Sequence, residues 1–253
     1  MRREELEQQR ALEERHFWFR ARRRALTPWL RAAAAAAPPG PWLELGVGGG
    51  GNLPLFAQAA PERAVLGVDP SPLALQFGRE RLGALAALNA DAERLPLGSA
   101  SVAIATALDV LEHVHDDARA LQELARCLAP GGRLIVTVPA DPGLFGAHDR
   151  ALGHRRRYAP GELESRLQEN GLEVLESRGF NRVLRGPVAL WRRRPAPPAR
   201  SDVRPLPLPV NLALGAVLSL EERLPASWRT VPGLSWWIHA RRRSPIESRS
   251  ERP

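Results

Sequence analysis

The sequence predicts an α/β fold, a doubly wound sheet with mostly parallel strands. Short apolar runs alternate with stretches of helical periodicity from residue 42 onward, and a glycine-rich bend closes the first run. The chain of 253 residues, 44% hydrophobic and 25% charged, suits one such domain with extensions. These proportions exclude wholesale disorder and a fibrous chain. Cys127 is the single cysteine, so neither an internal disulfide nor a cysteine-rich metal site is available, and a reducing compartment is expected.

In chain order, residues 1–37 place Leu, Phe and Trp among charged positions at helical spacing, which predicts a helix that Pro38-Pro39-Gly40-Pro41 stops. Strands are expected at Trp42–Leu45, Ala64–Val68, Leu85–Asn89, Val102–Ala107, Leu134–Val138 and Leu172–Ser177. Helices are expected between them at Asn52–Gln58, Pro72–Leu82, Asp116–Leu128 and Gly161–Asn170. Strand and helix in alternation mean parallel strands joined by crossover helices. After Phe180 the pattern breaks into a Trp/Arg stretch, a Pro-rich linker at Pro195–Pro209 and an apolar segment at Val210–Leu224, before a last strand at Ser235–Ala240.

Charge is distributed unevenly. The net charge is +8 and all 36 basic residues are arginine, yet residues 41–149 carry 7 arginines against 13 acids. The flanks are basic. That asymmetry suits a solvated Arg-rich surface or an anionic partner on the flanks, and disfavours nucleic acid as the partner of the acidic middle. The opening MRREELEQQR has no apolar h-region, so a signal peptide is not expected. Val210–Leu220 is an apolar stretch of 11 residues, short of the roughly 20 that cross a bilayer.

The strongest local signal is Leu43-Glu44-Leu45-Gly46-Val47-Gly48-Gly49-Gly50-Gly51-Asn52, at the end of the first strand and the start of a helix. Glycines allow a tight turn and close approach of backbone to a ligand. Gly46-x-Gly48-x-x-Gly51 also fits a dinucleotide fingerprint, so two readings compete. Glu44 separates them, because a carboxylate two residues before the first glycine repels a pyrophosphate and suits a cationic ligand.

Glu44-x-Gly46-x-Gly48-x-Gly50 resembles motif I of class I S-adenosylmethionine-dependent methyltransferases. Further landmarks follow in register: Val65-Leu66-Gly67-Val68-Asp69, Asn89-Ala90-Asp91-Ala92-Glu93, Ala107-Leu108-Asp109-Val110-Leu111-Glu112-His113 and Leu128-Ala129-Pro130-Gly131-Gly132. Together they resemble the type 11 methyltransferase group. The resemblance implies a Rossmann-like sheet of seven strands with the last antiparallel, and S-adenosyl-L-methionine as cofactor. It assigns Glu44, Gly46, Gly48 and Gly50 to the methionine end, Asp69 to the ribose, and Asp91 with Ala92 to the adenine. Asp109 is a further cofactor contact and a catalytic candidate.

The loop after the fifth strand carries His148, Asp149, His154, Arg155, Arg156, Arg157 and Tyr158. Loops at the carboxyl ends of strands line the crevice of open α/β sheets, so this loop is expected to face the acceptor. His148 is the candidate general base. His154, Arg156 and Tyr158 are further candidate acceptor contacts. Two histidines and one aspartate make a conceivable metal set, but no further cluster backs it and no metal is expected.

The leading segment Glu14-Arg15-His16-Phe17-Trp18-Phe19-Arg20-Ala21-Arg22 resembles a helical lid found in a subset of the family. It adds His16, Trp18 and Arg22 as candidate acceptor contacts. His16 and Trp18 do not share a helix face, so a joint contact requires a helix end or a bend.

The expected division is an N-terminal helical lid (1–40), a cofactor-binding core (41–180), an Arg/Pro-rich and apolar helical insertion (181–233), the last strand (234–243) and a disordered tail (244–253). The insertion is too long for an idle loop. It is read as a cap on the acceptor site, a peripheral membrane contact or a homodimer interface. The function expected is methyl transfer to a small-molecule or lipid-like acceptor, in the cytoplasm or at the membrane surface. The alternatives are an NAD-dependent oxidoreductase and a non-catalytic cofactor-binding or membrane-surface module.

Overall fold

The structure, a computed structural model, describes residues 3–192, 204–228 and 230–244. The helices are α1 (Arg3–Glu13), α2 (Phe17–Ala36), α3 (Leu53–Ala59), α4 (Pro72–Arg81), α5 (Asp117–Cys127), α6 (Ala147–Leu152), α7 (Glu162–Glu169), α8 (Arg185–Arg192) and α9 (Leu208–Glu221). The strands are β1 (Trp42–Leu45), β2 (Val65–Asp69), β3 (Ala86–Asn89), β4 (Val102–Leu108), β5 (Leu128–Pro139), β6 (Leu172–Phe180) and β7 (Ser235–Arg242).

They form one seven-stranded sheet in the order β3-β2-β1-β4-β5-β7-β6. Neighbours from β3 to β5 are parallel, and β7 inserts antiparallel to both β5 and β6. The order reverses between β1 and β4. In open α/β sheets ligands bind at such a point, outside the carboxyl ends of the strands.

Strand alternation builds a core on each face. On one, Leu43, Leu45 and Val136 pack with Leu121 and Leu124 of α5 and with Leu163 and Leu167 of α7. On the other, Trp42, Ile104, Ile135 and Trp237 pack with Leu26, Trp29 and Leu30 of α2 and Phe56 of α3.

Three local expectations change. The single helix over 1–37 is broken: His16 caps the start of α2, its Nδ1 accepting from the Trp18 amide at 3.3 Å. The fifth strand starts six residues early, at Leu128, because a register shift between Val102 and Ile104 lets the Pro130-Gly131-Gly132 turn ride inside it. The acceptor loop contains a helix, α6, which Asp149 caps by accepting from the Gly146 amide at 2.9 Å.

In the insertion, α9 lies against α2, fixed by Asn211. Its Oδ1 accepts from the Phe17 amide and its Nδ2 donates to the Arg15 carbonyl, each at 2.7 Å. Full burial of Val210–Leu220 is not found. Leu218 is buried, while Leu212 and Leu220 are more than half exposed, because α9 packs on α2 along one flank and meets the segment after β6 through Glu221 at its end. Much of the Pro-rich linker and residues 245–253 of the tail lie outside the described residues. Among the described residues, no helix is long and apolar enough to cross a membrane.

Candidate functional site

The β1 register places Glu44 opposite Thr106 on β4 and Gly67 on β2. Its side chain is buried and in hydrogen-bond contact with the Thr106 hydroxyl, and Asn52 bonds it as well. Burial dominates these contacts and pushes the Glu44 carboxyl up to about 8. It therefore holds a proton near neutrality, one that a bound cation would displace.

The bend above it needs glycine. Gly46 has φ +79°, and a Cβ there would lie 2.4 Å from Val110 Cγ2. The bend is thus pressed against the turn that follows β4. Gly48 and Gly50 also have positive φ.

Asp69 ends β2, where Oδ2 accepts from the Gly48 amide at 3.1 Å and Oδ1 from the Ser71 amide at 2.8 Å. Burial raises its carboxyl while those amides pull the other way. Asp91 is exposed and accepts from the Glu93 amide at 3.0 Å in an Asx turn, beside the buried Ala92.

Asp109 begins the turn after β4 with φ +58°. Its Oδ1 accepts from the Thr137 hydroxyl at 3.0 Å, and its Oδ2 pairs with Arg22 Nη2 at 3.0 Å. Arg22 is buried and also donates to Thr137 at 2.9 Å. The arginine expected at the acceptor is thus engaged by Asp109. His16 and Trp18 meet at a helix end, the arrangement their spacing required, and the Trp18 ring stands 5.5 Å from that of Phe180.

The sequence reading missed Glu13. At the end of α1 this buried carboxylate lies so close to the glycine loop that a Cβ on Gly49 or Gly51 would come within 2.6 Å of it. Burial raises its carboxyl. Nothing in the charged run of α1 marks this acid apart from its neighbours.

In the loop after β5, expected to face the acceptor, the polar residues mostly bind one another. Buried Asp149 accepts from Arg157 Nε at 2.8 Å and contacts His154 Nδ1 at 3.0 Å. Burial works against its charge, but the bonds from His154 and Arg157 outweigh it and hold the carboxyl well below the usual range. Tyr158 departs from its expected role. It is sealed in the core with its hydroxyl donating to Asp117 Oδ2 at 2.7 Å, because a bridge to Ala140 turns the ring inward. Arg156 is likewise occupied, donating to the Val114 and His115 carbonyls and pairing with Asp117 at 2.6 Å. His148, on α6, is half-buried, its ring 6.3 Å from that of His154.

Fold and site together describe a nucleoside-binding α/β domain that presents a buried carboxyl beneath a glycine bend. The family described as "Methyltransferase domain", type 11, matches residues 43–136. Residues 43–136 thus carry a methyltransferase domain of this family, the class I S-adenosylmethionine-dependent type.

A protein of Mycolicibacterium smegmatis described as a probable S-adenosylmethionine-dependent methyltransferase is 31% identical over 170 residues, 66% of this chain and 64% of that one. Trans-aconitate 2-methyltransferase of Methylobacterium nodulans is 39% identical over 111 residues, 44% of this chain and 42% of that one. The first curated relatives are spanned over 32% to 64% of their own length. Among solved structures, an S-adenosylmethionine-dependent methyltransferase of Mesorhizobium loti superposes with a TM-score of 0.59 at 18% identity, covering 86% of this chain and 98% of that one. This last likeness is one of fold.

Proposed function

We propose that the chain binds S-adenosylmethionine in the crevice at the carboxyl ends of β1 and β4 and transfers its methyl group to a small-molecule acceptor. The observation that carries this reading is Glu44: a buried carboxyl held near neutrality under a side-chain-free bend fits an ammonium and opposes a pyrophosphate. When bound, the cofactor supplies a methyl already activated by its sulfonium.

Glu44 gives up its proton and receives the ammonium. Gly46–Gly50 let the backbone approach, Asp69 accepts from the ribose hydroxyls, and Asp91 with Ala92 borders the adenine. Arg22 holds Asp109 in place by the crevice. Helices α1 and α2 act as the lid, excluding water and aligning the acceptor with His16 and Trp18. His148 is the proposed base and, with His154, borders the acceptor.

A relative named for trans-aconitate supports a small-molecule acceptor. A lipid-like one is favoured by the exposed Leu190 and Trp191 of α8 and Leu208 and Leu212 of α9. Helix α8 also reaches the acceptor loop through the Arg185–Asp141 pair.

Calorimetric titration with S-adenosylhomocysteine and with NAD tests the cofactor reading. Saturation by the former alone is expected, and saturation by NAD alone overturns it. Co-sedimentation with anionic vesicles tests the apolar face. Loss of binding in Trp191→Glu is expected, whereas no vesicle binding by a chain that dimerises leaves this face as a dimer interface.

A further inference from the structure

The turn after β4 holds, beyond Asp109, a buried group with no part in the proposed function. Glu112 is wholly buried in the turn after β4, and among the described residues neither of its carboxylate oxygens accepts a hydrogen bond. An unsatisfied buried carboxylate is costly and calls for a partner.

Two histidines face it. Ligand atoms of Glu112, His113 and His154 all lie within 4.8 Å of one another, with His154 Nε2 4.0 Å from Glu112 Oε1. The two rings meet edge to face at 4.7 Å. His154 has its other nitrogen engaged, Nδ1 standing 3.0 Å from Asp149 Oδ1, and His113 is hydrogen-bonded to the Gly153 carbonyl. A histidine N–H held by a carboxylate or a carbonyl fixes the tautomer and turns the second nitrogen into a lone-pair donor, the arrangement found behind metal-bound histidines. Arg157 pairs directly with Asp149 and makes no hydrogen bond to Glu112.

The two segments are also stapled together. The Arg155 amide donates to the Glu112 carbonyl at 2.7 Å, and the Arg155 guanidinium donates to the His113 carbonyl at 3.2 Å.

We propose that Glu112, His113 and His154 bind one divalent transition-metal ion, which locks the acceptor loop onto the turn after β4. Two imidazoles and one carboxylate suit zinc better than magnesium or calcium, which favour all-oxygen sets. A modest inward shift of the three side chains brings them to bonding distance.

The test uses the full chain, stripped with a chelator and titrated with Zn²⁺ by calorimetry and thermal melting, with Co²⁺ as a spectroscopic probe. One zinc per chain, a raised Tm and the visible bands of tetrahedral cobalt are expected. His113→Ala and His154→Ala should each weaken zinc binding at least tenfold. Glu112→Gln, nearly isosteric, makes the same test where an alanine variant does not fold. A chain that binds S-adenosylhomocysteine but takes up no zinc overturns the site and leaves the methyltransferase reading standing. Zinc uptake unchanged in all the folded variants also overturns it.

Discussion

Beneath the glycine loop, Glu44 is buried with neutral hydrogen-bond partners and its carboxyl rises to about 8; on the acceptor loop, Asp149 is buried with Arg157 and His154 and its carboxyl falls well below the usual range. Both carboxyls have the same chemistry and comparable burial. What differs is whether basic groups hydrogen-bond them directly; Arg22 acts on Glu44 through its charge alone and does not offset burial. The first is poised for a ligand, and the second is already satisfied by the protein. Buried acids of the two regions therefore divide by their neighbours into one that keeps a proton and one that braces the loop.

Removing the brace should have the largest effect. Asp149→Ala leaves Arg157 buried without its partner and is expected to cost about 3–5 kcal/mol in urea denaturation. Because the folded carboxyl is depressed, its contribution is complete above about pH 4 and fades as pH falls, so the gap between variant and wild type should narrow in acid. A gap that is flat or widens below pH 4 would break the comparison.

Next comes Gly46→Ala, which puts a Cβ at positive φ and against Val110. It should lower stability by about 2–4 kcal/mol and abolish S-adenosylhomocysteine binding measured by calorimetry. Tyr158→Phe removes the hydroxyl from Asp117, which keeps Arg156 and Arg166. A loss of about 1.5–2 kcal/mol in stability, with cofactor affinity unaltered, is expected from thermal and calorimetric titrations.

The smallest effect sharpens the binding side. A raised carboxyl binds more protons folded than unfolded, so an ammonium must displace a proton at neutral pH. Affinity for S-adenosylmethionine should climb by up to about tenfold per pH unit toward pH 8 and then level. Glu44→Gln should bind about tenfold more weakly and lose that slope.

The cofactor half was largely legible because its signals are contiguous. An apolar run, an acid and a spaced series of glycines lie within Leu43–Gly51, and strand period plus φ requirements act over a few residues. Asp69 and Asp109 could be placed at strand ends for the same reason. The acceptor half was legible as a loop but not in the duties of its residues. Tyr158 and Arg156 owe theirs to Asp117, some forty positions earlier, and Arg22 to Asp109 in the turn after β4 and Thr137 on β5. Glu13 against the glycine loop carries no local mark, and nothing along the chain shows that the Glu112-His113 pair stands against His154.

Alternating periodicity and glycine placement determined the α/β architecture, the crevice and the acid beneath the bend, since these depend on backbone sterics and side-chain period along the chain. The tertiary structure alone decided which charges stand in contact, and so which carboxyl keeps a proton and which loses it. A pKa in a protein interior depends on the groups within a few ångströms, and here those come from distant parts of the sequence.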